Sequence, residues 1–251
     1  MIEIINYLSA NWPLKEDLPT LVFLHGAGCQ AKAWQPQLSG LATVANTIAI
    51  DLPGHGGSEG PALDSIPALA EAVRAFLQEI KATRPILCGL SMGSAIVLQY
   101  LLDYPDSAVA GIAMGAGARL NVAPLIFQTI AKDYAGFVAL MGRLAFSPSA
   151  KPEAVQEISQ LIMSCPPEVT AADFTACHSF DVLQRVEKIE HPLLIISGQE
   201  DKMTPPKYAE FLEKQVKRGI LYHLLGTGHM IPNEKPLKVN KLIGDFIKGF
   251  L

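Results

Sequence analysis

Ser91 stands at the centre of Gly89-Leu90-Ser91-Met92-Gly93, between the apolar run Pro85 to Cys88 and the helix-like stretch Ser94 to Tyr100. A serine hydroxyl is a poor nucleophile. A protein that uses one must hold it at a tight strand-to-helix turn, beside a base and beside backbone N–H donors. The glycines of this G-x-S-x-G pattern leave room for the turn and for a substrate, and the strand before and helix after give the pattern its weight. A base must take the serine proton, and a carboxylate must orient that base and stabilise its charged form. Two later segments supply them. Gly198-Gln199-Glu200-Asp201-Lys202-Met203-Thr204-Pro205 offers Asp201, and Gly226-Thr227-Gly228-His229-Met230 offers His229. Each follows an apolar run, which places both in loops at the carboxyl ends of strands, where open parallel sheets carry their chemistry.

Each position has rivals. Glu200 is adjacent to Asp201, Asp173 and Asp181 lie farther upstream, and Asp201 itself is placed to cap a helix starting near Pro205-Pro206. His25 and His55 sit in loops and read as residues that hydrogen-bond backbone, whereas His178, His191 and His223 read as structural or surface residues. Asp51, Ser58 and Ser94 also read as loop or helix polar groups.

The elements that must position these side chains are visible as short aliphatic runs at Thr20 to Leu24, Val44 to Ile50, Ile86 to Leu90, Val109 to Met114, Leu193 to Ser197 and Leu221 to Leu225. They read as strands buried on both faces. Helical stripes lie between several of them, such as Leu69, Val73, Phe76, Leu77 and Ile80, and later Phe211 to Val216 and Leu237 to Phe250. This alternation predicts an α/β fold with a doubly wound, mostly parallel sheet, and Ile2 to Leu8 is expected to add an antiparallel edge. The alternation stops between Gly117 and Val186. Helices are predicted there over Pro124 to Phe146, Pro152 to Met163 and Pro167 to His178, with Ser147-Pro148-Ser149 and Cys165-Pro166-Pro167 as breakers. The expected organisation is a core of residues 1–116 and 187–251, with residues 117–186 as a small, apolar helical cap.

The 251 residues are 49% hydrophobic and 18% charged, enough apolar material for one large core. A net charge of −4 leaves no basic field for nucleic acid. No run reaches the roughly 18 apolar residues of a membrane span, and Met1 to Ala10 lacks the pattern of a signal peptide, so a cytoplasmic protein without integral membrane association is expected. Four cysteines, Cys29, Cys88, Cys165 and Cys177, have no metal-site spacing and are expected to be free thiols, with Cys29 near the chemistry. No residue pattern marks an oligomeric state.

Together these features resemble the α/β-hydrolase fold family, in its serine hydrolase, carboxylesterase-like branch. Besides the serine turn, the family's first-loop motif is present as His25-Gly26-Ala27-Gly28, and its next loop as Asp51-Leu52-Pro53-Gly54-His55-Gly56-Gly57-Ser58. The resemblance spans essentially the whole chain, with Ser91, Asp201 and His229 in the family's order. It implies Ser91 as nucleophile, His229 as base and Asp201 as its partner. The backbone N–H groups of Ala27 and Met92 would form the oxyanion hole, leaving their side chains only a pocket wall to shape. It further implies cleavage of carboxylic esters of small to medium apolar substrates with no metal or organic cofactor. Carbon–carbon bonds of diketones, thioesters and lactones share the same chemistry, and a small-molecule binding protein on the same scaffold is the non-enzymatic alternative.

Overall fold

The computed structural model describes residues 5–249. In chain order the elements are β1 (Tyr7–Ser9), β2 (Thr20–Leu24), α1 (Gln35–Leu41), β3 (Asn46–Ile50), α2 (Ile66–Glu79), β4 (Ile86–Leu90), α3 (Met92–Asp103) and β5 (Ala110–Met114). Then follow α4 (Pro124–Lys132), α5 (Tyr134–Leu144), α6 (Pro152–Met163) and α7 (Pro167–Ser179). The chain closes with β6 (Leu193–Gly198), α8 (Pro206–Gln215), β7 (Gly219–Leu224), α9 (Ile231–Glu234) and α10 (Pro236–Lys248).

The strands form one seven-stranded sheet in the order β1-β3-β2-β4-β5-β6-β7. Only β1 runs antiparallel, pairing Tyr7 with Ile50 and Ser9 with Ile48. The antiparallel edge expected from Ile2 to Leu8 is thus present at Tyr7–Ser9, and the Ile2 to Ile4 part of that expectation lies outside the described residues.

Successive strand residues point to opposite faces, which divides the core in two. Leu21 and Phe23 of β2 join one apolar cluster with Leu38 and Leu41 of α1 and Val239, Ile243 and Ile247 of α10. Val22 and Leu24 join the other, with Leu69 and Val73 of α2, Ile96 and Val97 of α3 and Leu212 of α8. Both faces are therefore covered, and every residue of β2 through β6 is buried, including the polar Thr20, Asn46, Thr47 and Ser197. β7 departs from the expectation of burial on both faces. It is the last strand of the sheet, and Ile220 and Tyr222 are each 44% exposed. Helix α2 is amphipathic, with Ile66, Leu69, Val73 and Phe76 inward, whereas α3 is buried from Met92 through Leu101 because it lies directly behind the central strands.

The helical cap consists of α4 to α7 and is inserted between β5 and β6. The single helix expected over Pro124 to Phe146 is in fact two. Asp133 leaves helical geometry at φ −153° and its side chain accepts a hydrogen bond from the Gly136 N–H, capping α5 and ending α4. A β-carbon at position 136 would lie 2.1 Å from that carboxylate, so the cap needs glycine there. Aromatic contacts close the cap on itself: Tyr134 stacks on Phe137, and Phe137 meets Phe174 edge-on at 5.6 Å. No helix among the described residues is long and apolar enough to cross a membrane.

Candidate active site

Ser91 joins β4 to α3 with φ 55° and ψ −115°. A positive φ is strained for a residue with a side chain, so the surroundings must hold it. The Ser91 N–H donates to Met114 O at 2.9 Å, and Ser91 O accepts from Ser94 N, Ala95 N and Ser94 Oγ, the last at 2.6 Å. Ser94 is buried and its hydroxyl is spent on this contact, in keeping with its reading as a helix polar group. The turn is so tight that a β-carbon at position 89 would lie 2.1 Å from Gly93, and one at position 93 would lie 2.1 Å from Leu24 O. Both glycines of the pentapeptide are therefore steric requirements.

His229 follows β7 and is buried. Its Nδ1 lies 2.7 Å from Asp201 Oδ2 and 3.1 Å from Thr204 Oγ1. This network assigns the proton to Nδ1 and leaves Nε2 as the free base nitrogen. Nε2 is buried with no hydrogen-bond partner among the described residues, including Ser91, and both side chains line one cavity. Apo sites of this kind commonly tighten only when substrate arrives.

Asp201 follows β6. Its Oδ1 accepts from the Met203 and Thr204 N–H groups, each at 2.8 Å, and its Oδ2 also accepts from Thr204 Oγ1 at 2.7 Å. Burial by itself would raise the pKa of this carboxyl, yet the charge and hydrogen bond of His229, with those from Thr204, hold it below the usual carboxylate range. Asp201 does not cap α8, whose N-cap is Pro205 with no side-chain bond; its carboxylate instead closes the loop ahead of that helix and faces the imidazole. The rivals are elsewhere: Glu200 is exposed, and Asp181 is exposed beside Arg119.

No sequence pattern marks Thr204 or Glu234 as part of the site. Glu234 accepts from Gly228 N at 2.9 Å and from Ser147 N at 3.2 Å, so one side chain ties the His229 loop to the end of the cap helix α5. The His229 and Met230 N–H groups both donate to Ala145 O, strengthening that tie. A β-carbon on Gly115 would meet the imidazole at 2.8 Å, so a glycine after β5 makes room for it.

The first loop is arranged by buried histidines. His25 Nδ1–H donates to Gly26 O and its Nε2 accepts from Leu52 N, which makes it neutral; burial and then the neighbouring His55 push its pKa well below the ordinary value. Asp51 is structural, accepting from Ala31 N, Asn6 Nδ2 and Gly57 N. Ala27 belongs to this loop and lines the cavity, and Met92 N–H is the first of α3, one of the donors a helix start leaves unpaired. The Met92 side chain does not shape the pocket as expected. It is fully buried in the core cluster on the α3 face of the sheet.

His55 proved more than a loop residue. Its Nε2 lies 2.8 Å from Asp173 Oδ2 of cap helix α7, which also accepts from Gly28 N at 2.7 Å, and its Nδ1 faces Pro53 O. Burial alone would lower the His55 pKa, but the hydrogen bond and charge of Asp173, with the Cys165 thiol, raise it to about 10. The charged pair thus pins cap to core. A histidine whose folded pKa exceeds its unfolded 6.5 adds stability that is fully present below 6.5 and is lost as the pH rises through about 10. Asp173→Asn is expected to cost about 3 kcal/mol at neutral pH and to flatten the decline of the thermal midpoint between pH 7 and 10, as read by calorimetry across that window.

Two cavities meet at Ser91. An inner one of about 50 Å³ lies among Ala33, Trp34, Ile158, Ile162, Met230 and Asn233. An outer one of about 250 Å³ runs past Asn121, Val122, Ile126, Leu144, Lys202 and Tyr208. Met141, Phe174 and Met203 border both. Cys29 also lines the inner cavity, but burial pushes its thiol up to about 12, so it is not a ready thiolate. All four cysteines are free and buried. Among the described residues no group of three or more His, Cys, Asp or Glu side chains is arranged to hold a metal ion.

The sequence model described as "Alpha/beta hydrolase family" matches residues 21–242. The biotin biosynthesis bifunctional protein BioHC of Cellvibrio japonicus is 26% identical over 245 residues, 91% of this chain and 47% of that protein, so the chain spans about half the length of that relative. Monoacylglycerol lipase ABHD6 of Bos taurus is 23% identical over 253 residues, 91% of this chain and 75% of the lipase. The fold is similar to that of the enol-lactonase from Burkholderia xenovorans LB400, with a TM-score of 0.91 at 20% identity, covering 98% of this chain and 97% of that one. The family match runs from β2 into α10 and takes in every strand that carries a loop of the site: the chain is a hydrolytic enzyme belonging to the alpha/beta hydrolase family.

Proposed function

We propose that this enzyme hydrolyses carboxylic esters of small to medium, mainly apolar substrates through Ser91, His229 and Asp201. The observation that carries the reading is the hydrogen-bonded Asp201–His229 pair, whose free Nε2 shares a cavity wall with Ser91. Ser91 Oγ attacks the ester carbonyl carbon and its proton passes to His229 Nε2, while the carbonyl oxygen takes up the negative charge. The N–H groups of Ala27 and Met92 receive that oxyanion. As the carbon–oxygen bond breaks, Nε2 returns the proton to the departing alcohol, leaving an acyl group on Ser91. Water then attacks the acyl carbon in the same way, giving the acid and restoring the serine.

The two cavities divide the substrate. The alcohol leaves first, so it belongs in the outer cleft, whose rim residues Lys202 and Tyr208 are exposed to solvent. The acyl group stays on Ser91 and belongs in the inner cavity. The names of two similar proteins, a monoacylglycerol lipase and an enol-lactonase, describe attack on acyl–oxygen bonds and support this class of reaction. Four buried thiols suit a reducing compartment, and we place the enzyme in the cytoplasm.

The test is labelling with a fluorophosphonate followed by peptide mass spectrometry, beside turnover of p-nitrophenyl esters of graded acyl length. Modification of Ser91 together with a preference for short acyl chains is the expected result. Labelling without turnover of any ester would redirect the assignment to another carbonyl substrate, and absence of both would overturn it.

A further inference from the structure

Besides Ser91 and His229, four side chains with polar atoms line the inner cavity: His25, whose two ring nitrogens are already bonded, the Cys29 thiol, Trp34 and Asn233. Trp34 Nε1 and Asn233 Oδ1 are buried with no hydrogen-bond partner among the described residues. Neither atom can turn away to find one. The Trp34 ring is 1% exposed and stacked on Phe23 with centroids 4.9 Å apart. Asn233 is oriented by its own amide, because Nδ2 donates to Ala33 O at 2.9 Å and so leaves Oδ1 as the end without a partner. Buried polar atoms left unpaired carry their full desolvation penalty, and a native structure holds few of them without a use. The third such atom on this wall, His229 Nε2, has its use in proton transfer.

We propose that Trp34 Nε1 and Asn233 Oδ1 form a polar end to the acyl cavity that selects a short acyl group carrying a hydroxyl; the proposal rests on the reading of Ser91 as the nucleophile. The indole N–H only donates and the amide oxygen only accepts, and a hydroxyl is the smallest group that can do both in return. A plain alkyl chain leaves both atoms unpaired. A carboxylate would face the lone pairs of Asn233 Oδ1, and no Lys or Arg lines this cavity to compensate its charge. An ammonium would leave the indole N–H without an acceptor. The selected acyl group is therefore neutral, short and hydroxylated.

The test compares p-nitrophenyl 3-hydroxybutanoate with p-nitrophenyl 3-methylbutanoate, which differ by a hydroxyl in place of a methyl. The hydroxy ester is expected to exceed its isostere in kcat/KM by about tenfold or more, because a site built to pair a hydroxyl rejects the analogue that lacks one. Trp34→Phe, which keeps a ring on Phe23 but removes the N–H, is expected to bring the ratio close to one, and Asn233→Leu likewise. Should Asn233→Leu fail to fold for want of its bond to Ala33 O, Trp34→Phe decides alone. Equal or better turnover of the methyl ester by the unaltered protein would overturn the proposal, leaving the two atoms to a bridging water only. A ratio that survives both substitutions would overturn it too. If neither ester is turned over, calorimetric titration of Ser91→Ala with each separates the two readings. Tighter binding of the hydroxy ester supports the polar end while the hydrolytic assignment falls, and equal binding sinks both.

Discussion

Ser91→Ala is expected to lower kcat for p-nitrophenyl esters by about 100,000-fold while changing the unfolding free energy by less than about 0.5 kcal/mol. The two halves of this expectation have separate causes. The reaction loses its nucleophile, and the rate that remains is what the oxyanion donors and the cavity supply with water as the attacking group. The fold loses little, because the strained φ of 55° is as costly for alanine as for serine and the atoms that hold it are Met114 O, Ser94 and Ala95, none of which is altered. Ser94 cannot substitute, since its hydroxyl is engaged with Ser91 O. The check is single-turnover kinetics on purified protein together with a denaturation curve. A residual rate within tenfold of the unaltered protein would mean that the nucleophile is elsewhere.

Asp201→Asn is expected to cost about 10,000-fold in kcat with little change in KM, since Asp201 lines neither cavity. The carboxylate does two things for His229 that an amide cannot do together: it holds the proton on Nδ1 and it balances the charge that forms when Nε2 takes the serine proton. An asparagine can still receive the Met203 and Thr204 N–H groups, so the loop should keep its shape. Glu200→Gln, changed next door on an exposed side chain, is expected to stay within about twofold of the parent rate. The double variant Ser91→Ala/Asp201→Asn should be no slower than Ser91→Ala, because the two act as a unit. A loss of under tenfold in Asp201→Asn would remove it from the mechanism. Stability gives a second readout. The depressed pKa of Asp201 supplies stability above the unfolded value of 3.8 that is lost as the pH falls through its lower folded value, so Asp201→Asn should flatten part of the acid limb.

The parts of the molecule that sequence made legible are those governed by local pattern. β2 and β4 were delimited to the residue, because central strands covered on both faces read as near-continuous apolar runs. β7 reads as a strand buried on both faces, because its alternating exposure at the sheet edge is partly masked by Ile220, Leu221 and Tyr222. The break at Asp133 was missed because it depends on a side chain reaching Gly136, and the apolar residues on either side carry on the same stripe. Ser91, Asp201 and His229 were legible through the glycines and apolar runs around them. Asp173, Thr204, Glu234, Trp34 and Asn233 owe their roles to contacts formed only when distant segments meet. The Asn233 bond to Ala33 and the Asp173 bond to Gly28 join residues 200 and 145 positions apart, and no spacing rule reaches that far.

The cap departs from the sheet after Met114 and returns at Leu193, on strands that are hydrogen-bonded neighbours. An insert that begins and ends at adjacent points places no demand on the distance it spans. Its helices could be lengthened, replaced or recombined while Gly111 stays paired with Leu193 and Met114 with Ile196. Heritable change can therefore remake one wall of the cavity while the reacting groups, carried by the loops after β4, β6 and β7, stay where they are. Selection on this scaffold has separate handles for what is cleaved and for how it is cleaved.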